Sequence, residues 1–174
     1  MSNQKGLSLL ELMIAVAIVA IVVTLGAPAI SDVQRSAALS GAVENVYFGM
    51  QQARSHAVRQ SADIQVDFTA GQNWCVGTTD QTDCDCAVAN SCTVDGVENV
   101  LRGQDFPGVT LPALTFGTDN QTTFDGTRGL TLNNSGSANF SNGTDTVRIN
   151  LNEVGRVQIC VVSGDLGGYP SCAS

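Results

Sequence analysis

Six cysteines, one histidine and several clustered aspartates are the residues of this 174-residue chain whose chemistry could go beyond packing. The cysteines are Cys75, Cys84, Cys86, Cys92, Cys160 and Cys172. Zinc would ask for close pairs such as C-x-x-C. Here the first four are separated by eight, one and five residues, and the lone His56 lies elsewhere. An even number of cysteines, all beyond an apolar N-terminal segment, points instead to disulfides formed in an oxidising compartment. Cys160 and Cys172 are expected to pair with each other, closing a loop of about a dozen residues worth ~3 kcal/mol. The remaining four leave about three possible pairings open.

Asp80, Asp83 and Asp85 fall within six residues and raise calcium as a ligand. The run has neither the turn glycine nor the closing glutamate of an EF-hand loop, so it reads as an acidic, disulfide-stapled surface loop. Arg54, His56 and Arg59 read as a solvated face near a helix C-terminus, where positive charge is favourable. Nothing in the spacing around His56 calls for a nucleophile pair. We therefore expect no catalytic residues, no metal and no cofactor, and a protein that is not an enzyme.

Charge narrows the partners further. The formal net charge is −8, and from residue 62 onward four arginines face thirteen acidic residues. A surface this acidic repels phosphate backbones and argues against general nucleic-acid binding.

The elements that position these residues can be read from hydrophobic pattern. Residues 12–31 carry no charge, which matches the ~20 residues a helix needs to cross a bilayer. Lys5 precedes the run, so the short N-terminus stays in the cytoplasm and the rest is exported. A plain anchor explains the hydrophobicity, and a signal peptide explains Lys5 and Ala27-Pro28-Ala29. Neither explains Glu11, a carboxylate at the edge of the apolar run, where burial costs up to roughly 3 kcal/mol.

Beyond residue 31 the chain turns polar but keeps a helical period. Leu39, Val43, Val46, Met50, Ala53 and Ala57 form one apolar stripe. The pattern predicts one helix from about residue 7 to about residue 59, ~80 Å long at 1.5 Å per residue. Alternation then predicts strands at 62–68, 74–76, 109–116, 129–132, 137–140, 145–151 and 156–162. In the first, Asp63, Gln65 and Asp67 are placed on a solvent face. Strands following one another without helices give antiparallel sheet, so the fold class is α+β: one long N-terminal helix, its first half transmembrane, packed on a β-rich head.

The stretch Lys5-Gly6-Leu7-Ser8-Leu9-Leu10-Glu11 resembles the class III leader of type IV prepilins. The resemblance implies cleavage after Gly6 by a prepilin peptidase, N-methylation of Leu7, and a role for Glu11 in pairing with a neighbouring subunit's new α-ammonium during assembly. Leu7 departs from the family's usual phenylalanine. Gly26 and Pro28 match the place where the family's helix can break, since proline removes a backbone donor. Segments 1–6, 7–30, 31–61 and 62–174 would then be leader, transmembrane and assembly helix, soluble half of the helix, and periplasmic head.

Three further motifs are similar to the GspH/FimT group of pilin-like proteins. They are Gln52-Ala53-Arg54-Ser55-His56-Ala57-Val58 at the helix end, Phe124-Asp125-Gly126-Thr127-Arg128-Gly129, and Gly155-Arg156-Val157. The likeness implies a minor type IV pilin at low copy near a filament tip, anchored first in the bacterial inner membrane with other pilins as partners. The alternative within the same class is a minor pseudopilin of type II secretion. Some relatives bind DNA through G-R-x-R. Here Gln158 replaces the second arginine, leaving Arg156 and Arg148 as possible contacts that the acidic head disfavours.

Overall fold

The structure is a computed structural model that describes residues 9–131 and 133–173, with the backbone alone for 25–29 and 118. Two compact units, 1–34 and 35–174, are distinguished.

Helix α1 spans Leu9–Gln60. In the first unit its apolar side chains lie open, with Leu9 through Val23 more than half exposed at every large apolar position. Among the described residues no helix is long and apolar enough to cross a membrane. The uncharged run 12–31 includes 25–29, whose side chains lie outside the description. The helix continues through Gly26 and Pro28.

In the second unit the predicted stripe is the helix's inner face. Leu39, Val43, Val46, Met50, Ala53 and Ala57 are each at most 2% exposed. They share one buried cluster with residues from both sheets, including Ile64, Phe68, Phe124, Phe140, Ile149 and Leu151. Burying each such side chain stabilises the head by roughly 1.5–3 kcal/mol for the larger ones, which is why this part of α1 needs no special helix propensity.

The head follows as β1 (Ile64–Thr69), β2 (Cys75–Thr79), β3 (Thr93–Val94), β4 (Val97–Glu98), β5 (Val100–Arg102), β6 (Thr110–Leu114), β7 (Gln121–Phe124), β8 (Gly136–Ser141), β9 (Thr146–Leu151) and β10 (Val157–Ser163). One antiparallel sheet has the order β5-β2-β1-β7, a second β10-β9-β8-β6, and β3-β4 is a small hairpin. The second sheet's edge strand is not left open throughout. The C-terminal segment folds back along it, with the Val161 N–H donating to the Pro170 carbonyl at 2.8 Å and the Cys172 N–H to the Val161 carbonyl at 2.9 Å.

Two expectations change here. Strand β1 is not half-exposed: Asp67 is 6% exposed, because the stapled loop covers the face opposite the core, its Cys86 N–H donating to the Asp67 carboxylate at 3.1 Å. Residues 129–131 form no strand. Asp125 Oδ1 draws the N–H groups of Thr127, Arg128 and Gly129 into a turn at 3.1, 2.6 and 3.2 Å, and an Asx-type turn of this kind competes with sheet pairing.

Candidate functional site

Two regions carry the sequence-predicted site residues, and the first is the N-terminal segment. Gly6 and Leu7, the expected cleavage and methylation positions, lie outside the described residues. Glu11 sits in the first turn of α1 and is exposed.

The head holds three disulfides: Cys75–Cys86, Cys84–Cys92 and Cys160–Cys172. The first two cross in sequence and pack into one buried cluster with Val100 at its side. Gly77 explains how they fit, since a Cβ there would lie 2.3 Å from Cys92 Sγ and 2.9 Å from Cys86 Cβ. The third staples the C-terminal segment to β10.

Two carboxylates of this loop, those of Asp80 and Asp85, accept local backbone N–H groups. Asp80 accepts the Asp95 N–H at 2.8 Å and the Gln81 side-chain amide at 2.9 Å, and the first of these holds its carboxyl below the ordinary aspartate range. Asp85 accepts the Ala87 N–H at 2.8 Å. Asp83 uses its backbone N–H toward Gln65. Among the described residues no group of three or more His, Cys, Asp or Glu could hold a metal ion.

The three head motifs meet in space. Arg54, from the helix-end motif, donates from Nε to the Gly129 carbonyl at 3.1 Å and from Nη2 to the Val154 carbonyl at 3.2 Å. Gly129 closes the second motif and Val154 immediately precedes the third. Gly155 packs so closely that a Cβ on it would stand 2.1 Å from the Gly129 oxygen. Gly126 is equally confined, its Cβ position 2.4 Å from the Ala62 nitrogen. Arg54 is thus a half-buried clamp and not part of a solvated face. Residue type alone conceals this role, because a helix-end arginine looks the same whether it meets water or carbonyls. Nearby, Arg59 Nη2 and the His56 ring nitrogen Nδ1 are 2.9 Å apart.

Arg148 and Arg156 are not brought together. Arg148 lies opposite Cys160 across the β9–β10 ladder and donates to Asn139 Oδ1 at 2.9 Å. Arg156 is exposed at the hairpin, four residues from Cys160 and therefore ~13 Å along the strand direction.

A helix that leaves an apolar, glutamate-bearing N-terminal stretch and packs its second part on antiparallel sheets defines a pilin-like protein. The prokaryotic N-terminal methylation motif matches residues 1–27, and the family of the type II transport protein GspH matches residues 42–163. The chain belongs to the GspH family. The methylation motif implies a membrane-anchored pilin whose head lies outside the cytoplasm, and pilins of this kind associate with other pilins. In fold the chain is similar to the type IV minor pilin FimU of Pseudomonas aeruginosa PAO1, with a TM-score of 0.50, 19% identity, and coverage of 78% of this chain and 95% of that one. No curated protein matches it in sequence.

Proposed function

We propose that this chain is a minor type IV pilin: inserted by a single span in the bacterial inner membrane, cut after Gly6 by a prepilin peptidase, methylated on Leu7, and built at low copy into a filament. It is a structural subunit and not an enzyme. The observation that carries this reading is the arrangement of one chain, a methylation motif at residues 1–27 leading into a GspH-family head at 42–163. The likeness to a minor pilin of a type IV pilus is consistent with it at the level of fold. The family's own description, a type II transport protein, supports the second reading, a secretion pseudopilin. Duplex DNA is a weaker candidate, since the head is acidic overall and Gln158 stands where the second arginine of G-R-x-R would be.

Intact mass and N-terminal sequencing of the membrane-extracted chain test the reading. The mature protein should begin at methylated Leu7, and Gly6→Val should leave a precursor longer by six residues. Glu11→Val should insert and be cut like wild type yet stay out of sheared filaments, because it removes the partner for a neighbour's new α-ammonium and also relieves the burial cost of a carboxylate. A mature chain beginning at Ile30 would make the segment an ordinary signal peptide and end the pilin reading.

A further inference from the structure

One end of this acidic head is lined by arginines that form no ion pair among the described residues. Arg54, Arg59 and Arg128 border a single open concavity of about 500 Å³ together with Gln51, Ser55 and Val58. None of the three arginines forms an ion pair with a described residue. Arg54 commits Nε and Nη2 to carbonyl oxygens. Arg128 is exposed, and its side chain makes no hydrogen bond among the described residues. Asp125, three residues before it, makes no ion pair with Arg128 among the described residues, its Oδ1 instead accepting three backbone N–H groups. Val58, 45% exposed, supplies an apolar edge. Arginines beside exposed apolar surface are the composition of a protein interface.

We propose that this concavity docks a carboxylate-bearing segment of a neighbouring filament subunit, with acidic side chains held by Arg59 and Arg128 and an apolar residue against Val58. The inference rests on the filament reading above. Charge complementarity selects the partner. A duplex would bring a long row of phosphates against a head that is acidic overall. A short acidic peptide brings only the charges that these arginines neutralise.

The test uses the full chain in its native host. Arg128→Glu and Arg59→Glu should each lower the amount in sheared filaments, relative to membranes, by roughly ten-fold. Gln104→Glu adds negative charge at an exposed residue that borders a different concavity and should incorporate like wild type. A photo-cross-linking residue at Ser55 should join an acidic stretch of a second pilin, and lysine placed in that stretch should restore Arg128→Glu. Equal incorporation of all variants, equal loss in Gln104→Glu, a cross-link to lipid, DNA or a non-acidic stretch, or failure of the lysine rescue would each overturn the inference. Wild type missing from filaments would remove the filament reading and this inference with it, whereas equal incorporation removes only the inference.

Discussion

Arg54 Nε donates to the carbonyl oxygen of Gly129, 75 residues away in the chain, at 3.1 Å. The same guanidinium reaches Val154, so one side chain ties the end of α1 to two loops that leave different sheets. Hydrogen bonds from a charged donor contribute more than neutral ones. Arg54→Ala should therefore destabilise the soluble head by about 1–3 kcal/mol, read as a lowered urea midpoint. Arg54→Lys should recover only part of this, because an ammonium lacks the fork that spans two carbonyls. An unchanged midpoint for Arg54→Ala would mean that the loops are held by packing alone.

Gly155 should be less forgiving. Its φ of +72° belongs to the left-handed region, and the 2.1 Å approach of an added Cβ to a backbone oxygen cannot be relieved by rotating a side chain. Gly155→Ala is expected to cost about 3 kcal/mol or more, exceeding Arg54→Ala. Gly143, with a φ of +91° and open space around its Cβ position, serves as the control: Gly143→Ala carries backbone strain only and should cost about 1 kcal/mol. Comparable losses at both positions would show that crowding against Gly129 is unimportant.

Asp67 sets a pH dependence with an unusual sign. Burial pushes its carboxyl above the ordinary 3.8, although the Cys86 N–H and Gln121 side chain pull the other way. The folded state then binds this proton more tightly than the unfolded chain. Stability from this group is full below about pH 4, declines as pH rises through the raised value, and is level beyond it. Asp80 and Asp125, held below 3.8 by backbone N–H groups, act oppositely: their contribution is present above 3.8 and is lost as pH falls through their lowered values. Urea midpoints of wild type and Asp67→Asn, measured from about pH 3 to pH 7, should differ by the loss of the descending limb alone. A descending limb retained in Asp67→Asn would assign it to another group.

Legibility of the fold followed the strength of each periodic signal. The helix stripe from Leu39 to Ala57 and the alternation in β9 and β10 survive because each has a clear apolar face. Strand β7 was hidden by composition: Gln121-Thr122-Thr123-Phe124 buries Thr122 completely, its hydroxyl satisfied by the Asn134 carbonyl at 2.7 Å. The β3–β4 hairpin did carry a signal, Val94-Asp95-Gly96-Val97, an Asp-Gly turn between valines, with φ of +54° and +76° at its centre. It lies just past the cysteine-rich loop, where acidic residues dominate the reading. The Arg54 clamp was not legible, since its partners are backbone carbonyls and no residue type announces them.

The crossing of Cys75–Cys86 with Cys84–Cys92 bears on biogenesis. With the N-terminus held in the cytoplasm, as proposed above, Cys75 would leave first, then Cys84, Cys86 and Cys92. An oxidase joining thiols in order of emergence would link Cys75 to Cys84 and Cys86 to Cys92, and neither bond is native. The native pairs differ from these by a shift of two residues, so bonds made in that order would be corrected by thiol–disulfide exchange, in which a thiolate attacks a misplaced bond and reshuffles it. Cys160 and Cys172 are consecutive cysteines and need no such correction. A host deficient in disulfide isomerase but not in oxidase would therefore make a chain sound at its C-terminus and scrambled beside β2.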